Sequence, residues 1–219
     1  MELISFDLCP FVQRSVITLL KKSAKFEINY IDLEKPPEWF LKISPFGKVP
    51  VLKAENQVIF ESAVINEYVD EVTPPALMPQ IPIDKALNRA WIEFASELLL
   101  YQYQLSISEN QQNFDNAESK LLISFEKLEN FLSGTKYFNG SKFSLVDAAF
   151  APLFARFDIL LPLLDSELLE DKPKINLWAK TLVAEDAVIR SVKPDFKEKY
   201  LQYIHEHSNF MAECLSRQK

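Results

Sequence analysis

Glycine is nearly absent, with three residues in a chain of 219. Glycine alone takes positive φ at no steric cost, so few tight loops can be built cheaply. Neither a Walker-type loop nor a GxGxxG turn can be written with these glycines, and a loop-rich, all-β chain is disfavoured. Cysteine and histidine are as scarce, two of each. Cys9 and Cys214 lie at opposite ends and neither belongs to a close pair, so a disulfide framework is not expected and the chain suits a reducing compartment. Together with His205 and His207 they do not make a zinc site, and no metal is expected. Positive charge is short as well: 24 Lys and Arg against 31 Asp and Glu, a formal net charge of −7. Sequence-independent nucleic-acid binding needs cations against phosphates, so no nucleic acid is expected as a partner. A small anionic ligand held by one or two local cations remains compatible with this balance. No apolar run approaches the ~20 residues of a membrane span; the most apolar segment, residues 157–164, is interrupted by Asp158 and Pro162. Met1-Glu2-Leu3 lacks the basic-then-apolar pattern of a secretory signal. The expected location is cytoplasmic, with no membrane partner.

What is present starts with a thiol. Leu3-Ile4-Ser5-Phe6 reads as a strand, Cys9-Pro10 follows, and Val16, Ile17, Leu19 and Leu20 then repeat with helical period. Proline suits the first position of a helix, because its φ is already correct and its missing N–H would be unpaired there. Cys9 is thereby placed at the N-cap. Free N–H groups and the positive dipole end favour an anion, so the thiol pKa is expected to fall. The competing reading is a small buried hydrophobe before a helix.

Residues 26–33 alternate apolar and polar as a half-exposed strand, which makes the order β-α-β and predicts a right-handed parallel crossover. Pro36-Pro37 breaks the chain, residues 38–43 read as a short helix, and residues 44–48 as a turn. Val49-Pro50-Val51-Leu52 is a third strand and Gln57–Phe60 a fourth, joined by a hairpin turn at Glu55-Asn56. Glu61-Ser62 opens the next helix.

In this order, Cys9-Pro10-Phe11-Val12-Gln13-Arg14, Pro37-Glu38-Trp39-Phe40, Ser44-Pro45-Phe46-Gly47-Lys48-Val49-Pro50-Val51-Leu52, Glu61-Ser62-Ala63 and Glu67-Tyr68 resemble the glutathione transferase superfamily, and within it the omega-like, cysteine-containing branch. The resemblance is close over about the first 80 residues and looser beyond. It implies an α/β N-terminal thioredoxin-like domain (βαβαββα) with a cis bond at Pro50, followed by an all-α C-terminal domain. It also implies glutathione as co-substrate and a homodimer.

Each residue of the implied site has a compatible task. The backbone at Val49 and Pro50 can pair with the cysteinyl unit of glutathione as an added strand would. The helix start at Ser62 suits the γ-glutamyl carboxylate, although Ser62 serves equally as an N-cap. Glu61 suits the γ-glutamyl ammonium. The glycyl carboxylate needs a cation, and Lys35 and Lys48 are both available. Phe11 completes the set. One departure narrows the chemistry: Val12 stands where dithiol thioredoxins carry a second cysteine. Cys9 can form a mixed disulfide, but another thiol must release it, naturally a second glutathione. The expected activity is therefore glutathione-dependent thiol transfer or reduction, on a small electrophile, disulfide or oxidant such as dehydroascorbate, through a Cys9–glutathione mixed disulfide. The alternatives are a non-catalytic binding protein of this fold, like the stringent starvation proteins that bind RNA polymerase, and a transferase acting on hydroquinone- or haloaromatic-type substrates.

Residues 73–82 hold four prolines in ten and mark the domain boundary. The division expected is a thioredoxin-like domain over 1–78, a linker over 79–84 and a helical domain over 85–219. Leu87, Trp91, Phe94 and Leu98, and then Phe114, Leu121, Phe125, Leu128 and Leu132, follow helical spacing, and Gly134 is a stop. Ser144 and Asp147 have the spacing of a capping box before a nearly all-apolar helix, and are read as structural. Residues 175–182 form another amphipathic helix, and Phe196 to Cys214 a last apolar stripe that carries Cys214 as packing. Tyr101, Tyr103 and Phe154 are candidates for an acceptor pocket between the domains.

Overall fold

The computed structural model of the protein describes residues 1–164, 166 and 168–216; residues 217–219 of the expected helical domain lie outside the described residues. The chain runs β1 (Glu2–Ser5), α1 (Pro10–Lys21), β2 (Glu27–Tyr30), α2 (Glu38–Ile43), β3 (Val51–Ala54), β4 (Gln57–Phe60) and α3 (Ser62–Val72). It continues with α4 (Pro82–Ser106), α5 (Gln111–Phe131), α6 (Leu145–Leu164), α7 (Pro173–Val183), α8 (Asp186–Ile189), α9 (Phe196–His207) and α10 (Asn209–Ser216). The order βαβαββα followed by helices is the architecture expected.

The sheet order is β2-β1-β3-β4. β1 and β2 run parallel, as the βαβ crossover requires, while β3 and β4 are antiparallel to their neighbours. Leu3 and Ile4 are adjacent in β1 and so point to opposite faces. Both are fully buried, so both faces of the sheet are covered, with Phe40 of α2 contributing to the same core as α1 and α3. Glu55 and Asn56 take positive φ (50° and 64°), the conformation of a type I′ hairpin turn. The Val49–Pro50 bond is cis, as expected, and so is Pro74–Pro75.

Strand ends differ from the sequence reading. β3 begins at Val51 rather than Val49, and β2 covers four of the eight residues that alternate. Pro50 has no N–H to give the ladder before Val51, and at β2 the alternation of side chains continues past the last ladder partner. The apolar stripe from Phe196 to Cys214 is likewise two helices. Ser208 ends α9 with its N–H on the Ile204 carbonyl and starts α10 by accepting the Met211 N–H at 3.0 Å.

A buried ion pair locks the junction after α3. Lys22 Nζ donates to Asp70 Oδ1 at 2.6 Å and to the Pro75 carbonyl, and Asp70 accepts the Leu77 and Met78 N–H groups at 2.7 and 3.0 Å. α4 then opens at Pro82, three residues before residue 85. The helical region has one large core centred on α6, whose residues from Leu145 to Leu153 are all buried. Ile17 of α1 belongs to that core rather than to the sheet's, so the two regions share packing. Among the described residues no helix is long and apolar enough to cross a membrane.

Candidate active site

Cys9 is the N-cap of α1, with extended backbone (φ −73°, ψ 119°) and Pro10 next to it. Its carbonyl accepts the Gln13 N–H at 3.0 Å, and its thiol donates to the Val49 carbonyl at 3.9 Å. The electrostatics differ from expectation. Burial pushes the Cys9 thiol up, while the N–H groups of Val12 and Phe11 and the charges of Arg156 and Arg14 pull it down without prevailing. The sequence located the favourable amides correctly, but it could not show how far the sulfur is withdrawn from water.

Beside Cys9 lies a cleft of about 240 Å³ lined by Phe11, Ser44, Pro45, Phe46, Lys48, Val49, Pro50, Phe60, Glu61, Ser62 and Leu100. The structure therefore brings Phe11, Lys48, Val49, Pro50, Glu61 and Ser62 to one place, and Cys9 touches its wall through Val49. Lys35 is not among the lining residues; it is exposed in the bend after β2. Of the two candidate lysines, Lys48 is the one at the cleft. The loop carrying it is clamped by Ser44, whose hydroxyl accepts the Lys48 N–H and donates to the Lys48 carbonyl, both at 2.9 Å.

Glu61 caps α3 with φ +66° and ψ 113°. A glutamate in that region is unusual and costly, and such residues cluster at ligand sites. The first turn of α3 has no acidic residue to neutralise its dipole, so its free N–H groups present an anion site. Ser62 is buried there, and its hydroxyl accepts from Arg14 Nε at 2.8 Å. That bond occupies an acceptor position and leaves the serine proton to donate elsewhere. Arg14 Nη1 also donates to Ser96 Oγ of α4 at 2.9 Å, and its guanidinium stands 5.0 Å from the Phe11 ring centroid. Burial pulls Arg14 down to about 10, against the nearby charges of Glu93, Cys9 and Glu61.

The loop that leads into Cys9 is held by the far end of the chain. Asp7 pairs with Lys193 at 2.8 Å and Lys199 at 3.0 Å. Burial opposes ionisation of Asp7, yet the two lysines hold its carboxyl below the ordinary range. Gln13 donates to Ser191 Oγ at 3.1 Å and accepts from Arg156 at 2.7 Å. Arg14 stands within the Cys9 motif, but its role was not read from the sequence. Arg156 lies outside every local motif. The available signal was that it is the one cation in the apolar run from Leu145 to Leu164.

The acceptor candidates do not gather at this cleft. Phe154 is buried against Phe150 and Trp178 in the helical core. Tyr101 turns away, with its hydroxyl on Glu97 and Lys120 over its ring. Tyr103 is exposed and meets Tyr203 of α9, hydroxyl to hydroxyl, at 3.1 Å. The residue that α4 gives to the cleft is Leu100. Helical period placed these aromatics on α4 and α6, but which face meets the N-terminal region depends on packing.

Comparison with known proteins gives the same assignment from both regions. Residues 8–72 match the family model for the glutathione S-transferase N-terminal domain, and residues 68–186 that for the C-terminal domain. The chain is 34% identical over 188 residues to glutathione S-transferase omega-1 of Sus scrofa, covering 84% of this chain and 77% of that one. It is 28% identical to the probable cytosolic glutathione S-transferase DHAR1 of Oryza sativa, covering 84% and 83%. Glutathione transferase Omega 3C from Trametes versicolor superposes with a TM-score of 0.78 at 27% identity, covering 87% of each chain. Rice GST1, crystallised with glutathione, does so with a TM-score of 0.80 at 25% identity, covering 93% and 94%.

Proposed function

The chain belongs to the glutathione S-transferase family, and from that premise we propose that it is a glutathione-dependent thiol transferase of the omega-like type, working through a mixed disulfide on Cys9. The observation that carries this reading is one thiol at the start of α1, beside the cleft, with Val12 where a resolving cysteine would stand. Cys214 lies in α10, which packs on α6 and α9, and it is not among the residues that line the cleft.

The chemistry balances with glutathione as the only reductant. The Cys9 thiolate attacks the glutathione sulfur of a glutathionylated thiol. A Cys9–glutathione disulfide forms, and the substrate leaves as its thiolate and takes a proton. A second glutathione, as thiolate, attacks the glutathione sulfur of that disulfide; oxidised glutathione leaves and Cys9 is restored. For an oxidant such as dehydroascorbate, two glutathione molecules supply the two electrons and become the disulfide. The cleft residues position the tripeptide. Val49 offers its backbone, the α3 N-terminus with Ser62 takes the γ-glutamyl carboxylate, Glu61 takes the ammonium, and Lys48 takes the glycyl carboxylate. Arg14 holds Ser62 so that its proton faces the ligand. A cytoplasmic homodimer belongs to the same proposal, its oligomeric state to be read by sedimentation.

Incubating the protein with oxidised glutathione should add one glutathionyl group, mapped by mass spectrometry to the peptide containing Cys9 and removed by reduced glutathione. An adduct confined to Cys214, or none, would sink the mechanism. Replacing Ser62 with alanine should raise the KM for glutathione about tenfold or more, because a hydrogen bond to a charged group is worth about 1.5–3 kcal/mol, with a smaller change in kcat. Unchanged KM would reassign Ser62 to capping alone.

A further inference from the structure

Arg156 is a buried cation in a place where the fold has no need of charge. α6 is apolar apart from Arg156, Asp147 and Asp158, and Arg156 is 2% exposed. Among the described residues it forms no ion pair. The two carboxylates of its own helix are elsewhere: Asp147 serves Ser144, Phe138 and Trp178, and Asp158 is exposed. All the groups it does meet are neutral. Nη1 donates to Gln13 Oε1 at 2.7 Å and to the Pro152 carbonyl at 2.9 Å, and Nη2 donates to the Leu8 carbonyl at 2.8 Å. Phe196 and Tyr200, stacked on each other, approach the guanidinium at 5.2 and 5.6 Å. An unpaired buried charge is costly. A neutral donor could tie a loop to a helix without that cost.

The contacts bracket one residue. Leu8 immediately precedes Cys9, and the Gln13 N–H is bonded to the Cys9 carbonyl. Gln13 cannot turn over freely, since its amide nitrogen is committed to Ser191. Resting on the reading of Cys9 as the nucleophile, we infer that Arg156 is the positioning residue of the reaction: it clamps the Cys9 turn from both sides and supplies the counter-charge for the thiolate.

The other charged groups around Cys9 are offset or occupied. Asp7 and Lys193 line the same crevice as Cys9, together with Tyr30, but Asp7 is neutralised by Lys193 and Lys199. Arg14, on α1, shares its field with Glu61 and Glu93 and is bound to Ser62 and Ser96. Arg156 alone has no anion of its own among the described residues. Its charge and that of Arg14 act on the thiol in the same sense as the α1 amides, against burial.

The test reads thiolate formation rather than turnover. In a Cys214→Ser background, the pH dependence of alkylation reports Cys9 alone. Arg156→Gln should move the midpoint up by about one pH unit, so that alkylation near neutrality falls about tenfold, and Arg156→Lys should restore part of the shift by keeping the charge. Circular dichroism and melting confirm the fold of each variant. A folded Arg156→Gln with an unmoved midpoint overturns the inference. Should that variant not fold, the unaltered protein decides. A buried counter-charge leaves the midpoint nearly constant between ~0.05 and ~0.5 M KCl, whereas a midpoint that climbs with salt assigns the effect to the surface lysines and overturns the inference. A moved midpoint without any Cys9–glutathione adduct would refute the proposed function and leave this role standing; an adduct with an unmoved midpoint would do the reverse.

Discussion

Cys9→Ser should lower thiol transfer by at least about a thousandfold in kcat/KM, the scale on which losing a covalent nucleophile is felt. The reason is chemical rather than structural. Serine accepts the N-cap position of α1 readily, so the fold should be unaffected and the melting temperature close to that of the parent. A hydroxyl, however, cannot form the mixed disulfide, and Val12 leaves no neighbouring thiol to substitute. What serine can do is donate a hydrogen bond to the thiolate of bound glutathione, so slow conjugation with an electrophile is the expected gain. Thiol transfer by folded Cys9→Ser at the parent rate would exclude Cys9 as the nucleophile.

Asp147→Ala should be the most destabilising single change in the helical region, with activity per folded molecule retained. Asp147 is fully buried. Its Oδ2 accepts the Ser144 N–H at 2.8 Å and the Ser144 hydroxyl at 2.6 Å, and its Oδ1 accepts the Phe138 N–H at 2.9 Å and the Trp178 indole N–H at 2.7 Å. Burial pushes the carboxyl up, and these four donors oppose it. Alanine strands donors that water cannot reach, each costing about 1–3 kcal/mol, so a total of about 3–6 kcal/mol is expected. For a chain of this size that corresponds to a Tm lowered by about 6–24 °C. Thermal melting followed by circular dichroism reads it. Unchanged melting together with lost thiol transfer would turn Asp147 from a structural residue into a catalytic one.

Asp147 also shows where sequence reading stops. The spacing of Ser144 and Asp147 is local and visible, and it announces the start of α6. The partners Phe138 and Trp178 are not, since Trp178 is brought from α7 only when α6 and α7 pack. The rest of the molecule divides in the same way. The Cys9-Pro10 start of α1, the parallel crossover, the Glu55-Asn56 turn, the Glu61-Ser62 start of α3 and the helical periods of α4 to α7 all depend on backbone hydrogen bonds and side-chain alternation within a few residues. They could be read in order along the chain, apart from strand ends and the break at Ser208.

The sequence by itself determined that a lone thiol would sit at a helix start, that no dithiol route was open to it, and which family motifs surround it. Only the tertiary structure decided its surroundings. Packing withdrew the sulfur from water and so set the sign of its pKa shift, put Lys48 rather than Lys35 at the cleft, turned Phe154 into the core, and brought Arg14 to Ser62. It also carried Arg156 from the middle of α6 to the carbonyl beside Cys9. Desolvation and charge depend on what lies within a few ångströms in space. Those neighbours come from positions 40 (Cys9 and Val49), 48 (Arg14 and Ser62) and 148 (Leu8 and Arg156) residues apart, separations that no local pattern records.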